Sequence, residues 1–168
     1  MTDRIMVDIE TLGTDPGAAI ASIGAVRFDA DGVGEEFSRS VDLTTAQAAG
    51  LSIDAETLSW WFNQSAAARA ELFGGDDLEG AMRAFRAFVH EADEIWANSP
   101  AFDCVILAEA FEAVDVSCPW EFWQERDYRT VKALADEWPN ADVDGVEHNA
   151  ADDARHQAEC LIDSGVEL

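Results

Sequence analysis

Close to the N-terminus the chain reads RIMVDIE over residues 4 to 10, which alternates without a break. Ile5, Val7 and Ile9 fall on one face and Met6, Asp8 and Glu10 on the other, the pattern of a β-strand with an apolar side to bury. Two further strand-like runs follow, from Ala19 to Phe28 and from Gly34 to Val41, joined by Asp29-Ala30-Asp31-Gly32. That connection has hairpin chemistry. Three consecutive strands linked in this way predict an antiparallel start to a sheet, and most β-only or all-helical folds are set aside by what comes next.

Beyond Ser52 the apolar period lengthens. Asp54 is a helix-cap candidate, with Leu58, Trp61 and Phe62 at helical spacing behind it. Gly74-Gly75-Asp76-Asp77 breaks the chain before a second helix at about 78 to 91, striped by Leu78, Met82, Phe85 and Val89. Residues 94 to 98 read as a short buried strand ending at Ser99-Pro100, and helical spacing resumes from about Phe102 to Val114. Helices at about 128 to 137 and 150 to 163 complete the expectation, the last with Ala150, Ala154, Ala158 and Leu161 on one side. At 168 residues, without a linker or an internal repeat, the chain is expected to form a single domain over 1–168.

Charge narrows the partners. There are 35 acidic residues against ten basic ones, a net charge of −25, and Lys132 is the only lysine. With 48% hydrophobic residues, six Trp and nine Phe, this is a folded chain and not an acidic disordered one. An acidic, lysine-poor surface suits molar salt, which screens self-repulsion, so a halophilic source is expected. Such a surface repels nucleic acid, and any nucleic-acid role has to be local, with bound Mg²⁺ or Mn²⁺ supplying positive charge. Cys104, Cys118 and Cys160 make no C-x-x-C pair and suggest neither disulfides nor zinc. No window reaches the length of a membrane span and no signal core is visible, which makes the cytoplasm the default location.

The candidate chemistry lies in three places. Asp8 and Glu10 share a strand face at its C-terminal end, a geometry that can hold a metal; in so acidic a chain a solvated face would look the same. Asp103 stands at a strand-to-helix junction, where open α/β sheets place ligands, although an acid there can simply cap the helix. His148-Asn149-Ala150-Ala151-Asp152-Asp153 is the most telling. Residues five apart on one helix diverge by about 140°. His148 and Asp153 therefore converge only if Asn149 caps the helix and His148 stays on the preceding loop. The run Asn140-x-Asp142-x-Asp144-Gly145 imitates half a calcium loop, but Ala151 stands where its closing Glu should be. His156 reads as a helix-surface residue and His90 as a helix end without a partner.

The order Asp-x-Glu, a central Asp, then His-x4-Asp resembles the DEDDh 3′-5′ exonucleases of the DnaQ-like, ribonuclease H-like superfamily. The words DIETLGT at 8–14, Trp60-Trp61, WANSPAFDCVIL at 96–107, RDYRT at 126–130 and HNAADDARHQA at 148–158 are similar to the phage exonuclease A and mycobacterial exoribonuclease branch. The resemblance implies an α/β, ribonuclease H-like fold: a mixed five-stranded sheet, its first three strands antiparallel, with helices on both faces. It implies a metal-dependent enzyme that hydrolyses phosphodiesters at the free 3′ end of single-stranded RNA or DNA and releases nucleoside 5′-monophosphates. Two divalent ions, Mg²⁺ or Mn²⁺, would be held by Asp8, Glu10, Asp103 and Asp153, with His148 as general base. Thr11, Leu12, Asn98, Trp61 and Phe102 would contact the terminal nucleotide; for Trp61 and Phe102 core packing is an equal alternative. A homodimer is compatible with that branch. The rival class is a catalytically silent nucleic-acid-binding or assembly module on the same fold.

Overall fold

The computed structural model describes residues 2–70, 72–135, 137–139, 145 and 148–166. The alternating N-terminal segment is the strand β1, Arg4–Thr11. It pairs antiparallel with β2, Ile20–Asp29, which pairs antiparallel with β3, Gly32–Ser40, across the expected hairpin. Asp29 closes that turn by accepting a hydrogen bond from the Asp31 N–H at 2.8 Å. On its other side β1 runs parallel to β4, Glu94–Ala97, and β4 runs parallel to β5, Glu125–Asp127, giving the order β3-β2-β1-β4-β5.

Helices cover both faces because β1 is apolar on both. Ile5, Val7 and Ile9 join a cluster that includes Leu78, Met82 and Phe85 of one helix and Ile106, Leu107 and Phe111 of another. These helices are the fourth and fifth in the chain, after α1 (Leu43–Ala48), α2 (Ala55–Trp61) and α3 (Ala66–Ala70); they are α4 (Leu78–Val89) and α5 (Asp103–Ala113). Met6, on the opposite face of β1, joins Val26, Phe28, Trp96 and Tyr128 under the last two helices, α6 (Tyr128–Leu134) and α7 (Ala150–Asp163). Each large apolar side chain buried in these layers contributes roughly 1.5–3 kcal/mol. This is the mixed five-stranded, ribonuclease H-like α/β arrangement. Among the described residues, no helix is long and apolar enough to cross a membrane.

α7 comes unusually close to the sheet. Ala150, Ala154 and Ala158 face the strands and are fully or almost fully buried. At Gly24 of β2 even one Cβ would lie 2.1 Å from the Ala150 carbonyl carbon and 2.2 Å from the Ala151 nitrogen. The start of α7 therefore lies directly on β2, next to Asp8, which pairs with Gly24 in the β1–β2 register.

The differences from expectation are local. α6 ends at Leu134, with Ala135 already extended, and the chain returns so that Trp138 packs edge-on against Tyr128 with ring centroids 5.2 Å apart. α4 ends at Val89 because Glu91 turns into the left-handed region, φ 69°. The short elements α1, α3 and β5 carry too few residues to show a period. The calcium-like run lies outside the described residues apart from Gly145.

Candidate active site

The β1–β4 pairing stops at Val7 and Ala97, so the last residues of β1 project beyond its parallel neighbour. Asp8 and Glu10 sit on this overhang, Asp8 half-buried and Glu10 only 8% exposed. From β4 the chain turns through Asn98-Ser99-Pro100 into α5, whose first residue is Asp103. The Asp103 carboxylate accepts a hydrogen bond from the Ser99 N–H at 3.3 Å and is 4% exposed. Burial pushes its pKa up to about 6, against the pull of backbone N–H groups and the Arg129 guanidinium. An acid that only capped a helix would face solvent; Asp103 is turned into the same recess as Asp8.

The start of α7 is built to fold back. Asn149 caps it, its side-chain oxygen accepting from the N–H groups of Ala151 and Asp152, both at 3.1 Å. His148 precedes the cap in the left-handed region, φ 64°, a conformation that costs a non-glycine residue on the order of 1–3 kcal/mol. Its N–H donates to Asp153 Oδ2 at 3.2 Å. The reversal brings together side chains that a continuous helix would separate: one ligand-type atom from each of Glu10, His148 and Asp153 lies within 4.8 Å of the others.

Asp8 is the electrostatic centre. Its pKa is raised well above the usual carboxylate range, first by desolvation and then by the charges of Asp103, Glu10 and, more weakly, Asp153. Gln157 opposes the shift by donating from Nε2 to Asp8 Oδ1 at 2.9 Å. Four carboxylates crowded in this way, with an imidazole beside them, are hard-oxygen and nitrogen donors whose mutual repulsion a divalent cation would relieve. The donor set fits metal.

The recess continues in both directions. Its central part, of about 460 Å³, is lined by Asp8, Glu10, Asp103, His148, Asp153 and also by Asn98 and Phe102. A second, mostly apolar hollow of about 450 Å³ adjoins it at Ile9, Glu10 and Phe102 and is closed by Thr11, Trp60 and Trp61. Trp61 is 1% exposed and donates its indole N–H to the Thr11 carbonyl at 2.9 Å, so it is chiefly a structural wall. Leu12 is fully buried, its N–H donating to the Ala19 carbonyl and its carbonyl accepting from the Asp54 N–H. Its side chain belongs to the core cluster and lines neither hollow.

Several lining residues were not among the expected site residues. Trp60, 45% exposed, meets the His148 ring edge-on with centroids 5.0 Å apart. Gln157 follows Asp153 by one helical turn, and His156, expected on the helix surface, lines the recess beside it. Arg129, Lys132 and Tyr128 close the far side. Tyr128 and Arg129 lie inside the word RDYRT, Trp60 inside Trp60-Trp61, and His156 and Gln157 inside HNAADDARHQA. His90 stands away from the site and near Glu91 at 3.9 Å.

The fold is similar to that of several solved nucleases. E. coli ExoI, in its zinc-bound complex with single-stranded DNA, superposes with a TM-score of 0.65 at 17% identity, covering 97% of this chain and 39% of that one. The present chain thus spans about two fifths of that protein's length. Cell-death related nuclease 4 gives a TM-score of 0.67 at 13% identity, over 97% and 63% of the two chains. The nuclease domain of 3′hExo, a DEDDh family member bound to rAMP, gives 0.64 at 12% identity, over 99% and 94%. No curated protein matches by sequence. Residues 3–163, by contrast, match the description "3′-5′ exoribonuclease Rv2179c-like domain". With the ribonuclease H-like fold around it, the chain belongs to the Rv2179c-like family of 3′-5′ exoribonuclease domains.

Proposed function

We propose that residues 1–168 act as one 3′-5′ exonuclease domain, hydrolysing the last phosphodiester of single-stranded RNA or DNA and releasing nucleoside 5′-monophosphates. The observation that carries this is the placement of Asp8 among Asp103, Glu10 and Asp153, with His148 beside the latter two. Asp8, lying among all three acids, would hold the ions together with Glu10, Asp153 and Asp103. Two divalent cations, Mg²⁺ or Mn²⁺, would supply positive charge for both the attacking and the departing oxygen. His148 takes the proton of the attacking water as general base. Phe102, Trp60 and Thr11 border the hollow that receives the terminal nucleoside, with Trp61 as its wall, and Asn98 contacts the nucleotide from the adjoining carboxylate recess.

The family's description names RNA, and the ligands of the structural neighbours include single-stranded DNA and rAMP. The acidic surface fits work at high salt in the cytoplasm, where metal at the site offsets the repulsion between protein and strand. The test is chromatography of the products from matched RNA and DNA oligonucleotides in potassium chloride with Mn²⁺. Mononucleotides from the wild type, and none from Asp8→Asn, are expected. Equal release by both proteins would overturn the reading.

A further inference from the structure

We propose that Arg129 and Lys132 of α6 bind the backbone phosphate that lies upstream of the scissile one, so that α6 is the entry rail for the strand. This rests on the exonuclease reading above and extends it to a second substrate-binding site.

The three hollows form one path. The apolar hollow at Trp60 and Phe102 shares Ile9, Glu10 and Phe102 with the carboxylate recess. The recess in turn shares Ser99 and Arg129 with a third hollow of about 350 Å³ that runs over α6 past Thr130 and Leu134. A strand with its terminal nucleoside beside Trp60 and its last phosphodiester at the carboxylates has to leave across α6. The surfaces met in that order are apolar, then metal-binding, then cationic.

The cations are distributed in a way that singles out this end. Of the nine arginines, Arg4, Arg27, Arg39, Arg83, Arg126 and Arg155 each meet a carboxylate. Among the described residues Arg69, Arg86, Arg129 and Lys132 have no such ion pair, and of these four only Arg129 and Lys132 line the recess. These two are one helical turn apart and both exposed. Arg129 is tethered by donating from Nε to the Asn98 carbonyl at 3.3 Å, which leaves its terminal nitrogens for another acceptor. The Lys132 ammonium is carried over the Trp138 ring at 5.9 Å. In a chain of net charge −25, the only lysine stands at the mouth of the four-carboxylate recess. A fork-shaped guanidinium and a point ammonium are together suited to a phosphodiester anion.

The test compares a single-stranded tetranucleotide with the p-nitrophenyl ester of thymidine 5′-monophosphate, which has no upstream phosphate. In the double variant Arg129→Gln/Lys132→Gln the preference for the tetranucleotide, as a ratio of kcat/KM values, should fall about 10-fold. The plot of log(kcat/KM) for the tetranucleotide against log salt concentration should become shallower by about 0.7, the contribution of one phosphate on a single strand. Lys132→Arg should recover part of the preference, and Arg83→Gln, on α4, should alter neither quantity. An unchanged ratio and slope in the double variant would overturn the proposal. If the wild type cleaves neither substrate, the exonuclease reading is what fails; binding of the labelled tetranucleotide in Ca²⁺ then decides the phosphate site, about 10-fold weaker binding by the double variant sustaining it and equal binding overturning it.

Discussion

At the scale of single residues, the site depends on side chains that aim the chemical ones. Gln157 donates to Asp8 Oδ1 and so fixes which oxygen of that carboxylate faces the recess. Hydrogen-bond partners behind metal ligands typically account for 10- to 100-fold in affinity. Gln157→Leu is expected to raise the Mn²⁺ concentration for half-maximal activity by about that factor, with kcat at saturating metal much less affected; a metal titration of initial rates measures it. His148 raises a sharper question, because a ring nitrogen lies within 4.8 Å of a carboxylate oxygen of Glu10 and of Asp153, close enough for the three to share an ion. As a base, His148→Ala should lower kcat by about 10²- to 10⁴-fold and leave metal half-saturation in place. Lost metal binding, followed by calorimetry, would make it a ligand instead.

At the scale of elements, the decisive contact is α7 on β2. Gly24 permits it, and Gly24→Ala would drive a methyl group into the Ala150 carbonyl. Overpacking of this kind costs roughly 1–3 kcal/mol. Because the first turn of α7 carries Asp153 and follows His148, the larger effect should be on activity, with loss of most turnover in a variant that still unfolds cooperatively. The bounds of α7 and its Asn149 cap were legible in the sequence, since a cap residue followed by an alanine stripe leaves few alternatives. So was the antiparallel start, written in the alternation of β1 and the Asp-Gly-containing hairpin. The role of Gly24 was not, because the helix that makes it obligatory is more than a hundred residues away. β5, three polar residues long, has no periodicity, and only its pairing with β4 makes it a strand. Trp60 and Trp61 are adjacent aromatics whose division into exposed surface and buried wall is set by the packing of α2 alone. Leu12 turns into the core for a related reason: position next to an acidic residue says nothing about which way a side chain turns.

At the scale of the whole molecule, the carboxylate recess is a site of stored repulsion. Burial raises Asp103 from the ordinary 3.8 to about 6, and Asp8 is raised as well. The folded protein thus holds protons that the unfolded chain has released, and this stabilisation is complete below about pH 4 and lost as pH rises through about 6. For Asp103 the loss is on the order of 3 kcal/mol at most, several degrees in Tm for a chain of this size. The metal-free protein should melt lower at pH 7.5 than at pH 5, and Mn²⁺ should raise Tm more at pH 7.5 than at pH 5. Asp103→Asn should raise the metal-free Tm at pH 7.5 and shrink the gain from Mn²⁺. General self-repulsion of the acidic surface has the same pH trend, but removing one of 35 acids would barely change it.

The proposed activity is metal-dependent removal of nucleotides from a 3′ end. The most direct measurement is a time course on a 5′-labelled single-stranded oligonucleotide in high salt with Mn²⁺, resolved at single-nucleotide steps. The account predicts a ladder that shortens from the 3′ end one residue at a time, and no ladder with chelator or with Asp8→Asn. Internal cuts, shortening that persists in chelator, or an equal ladder from Asp8→Asn would contradict it.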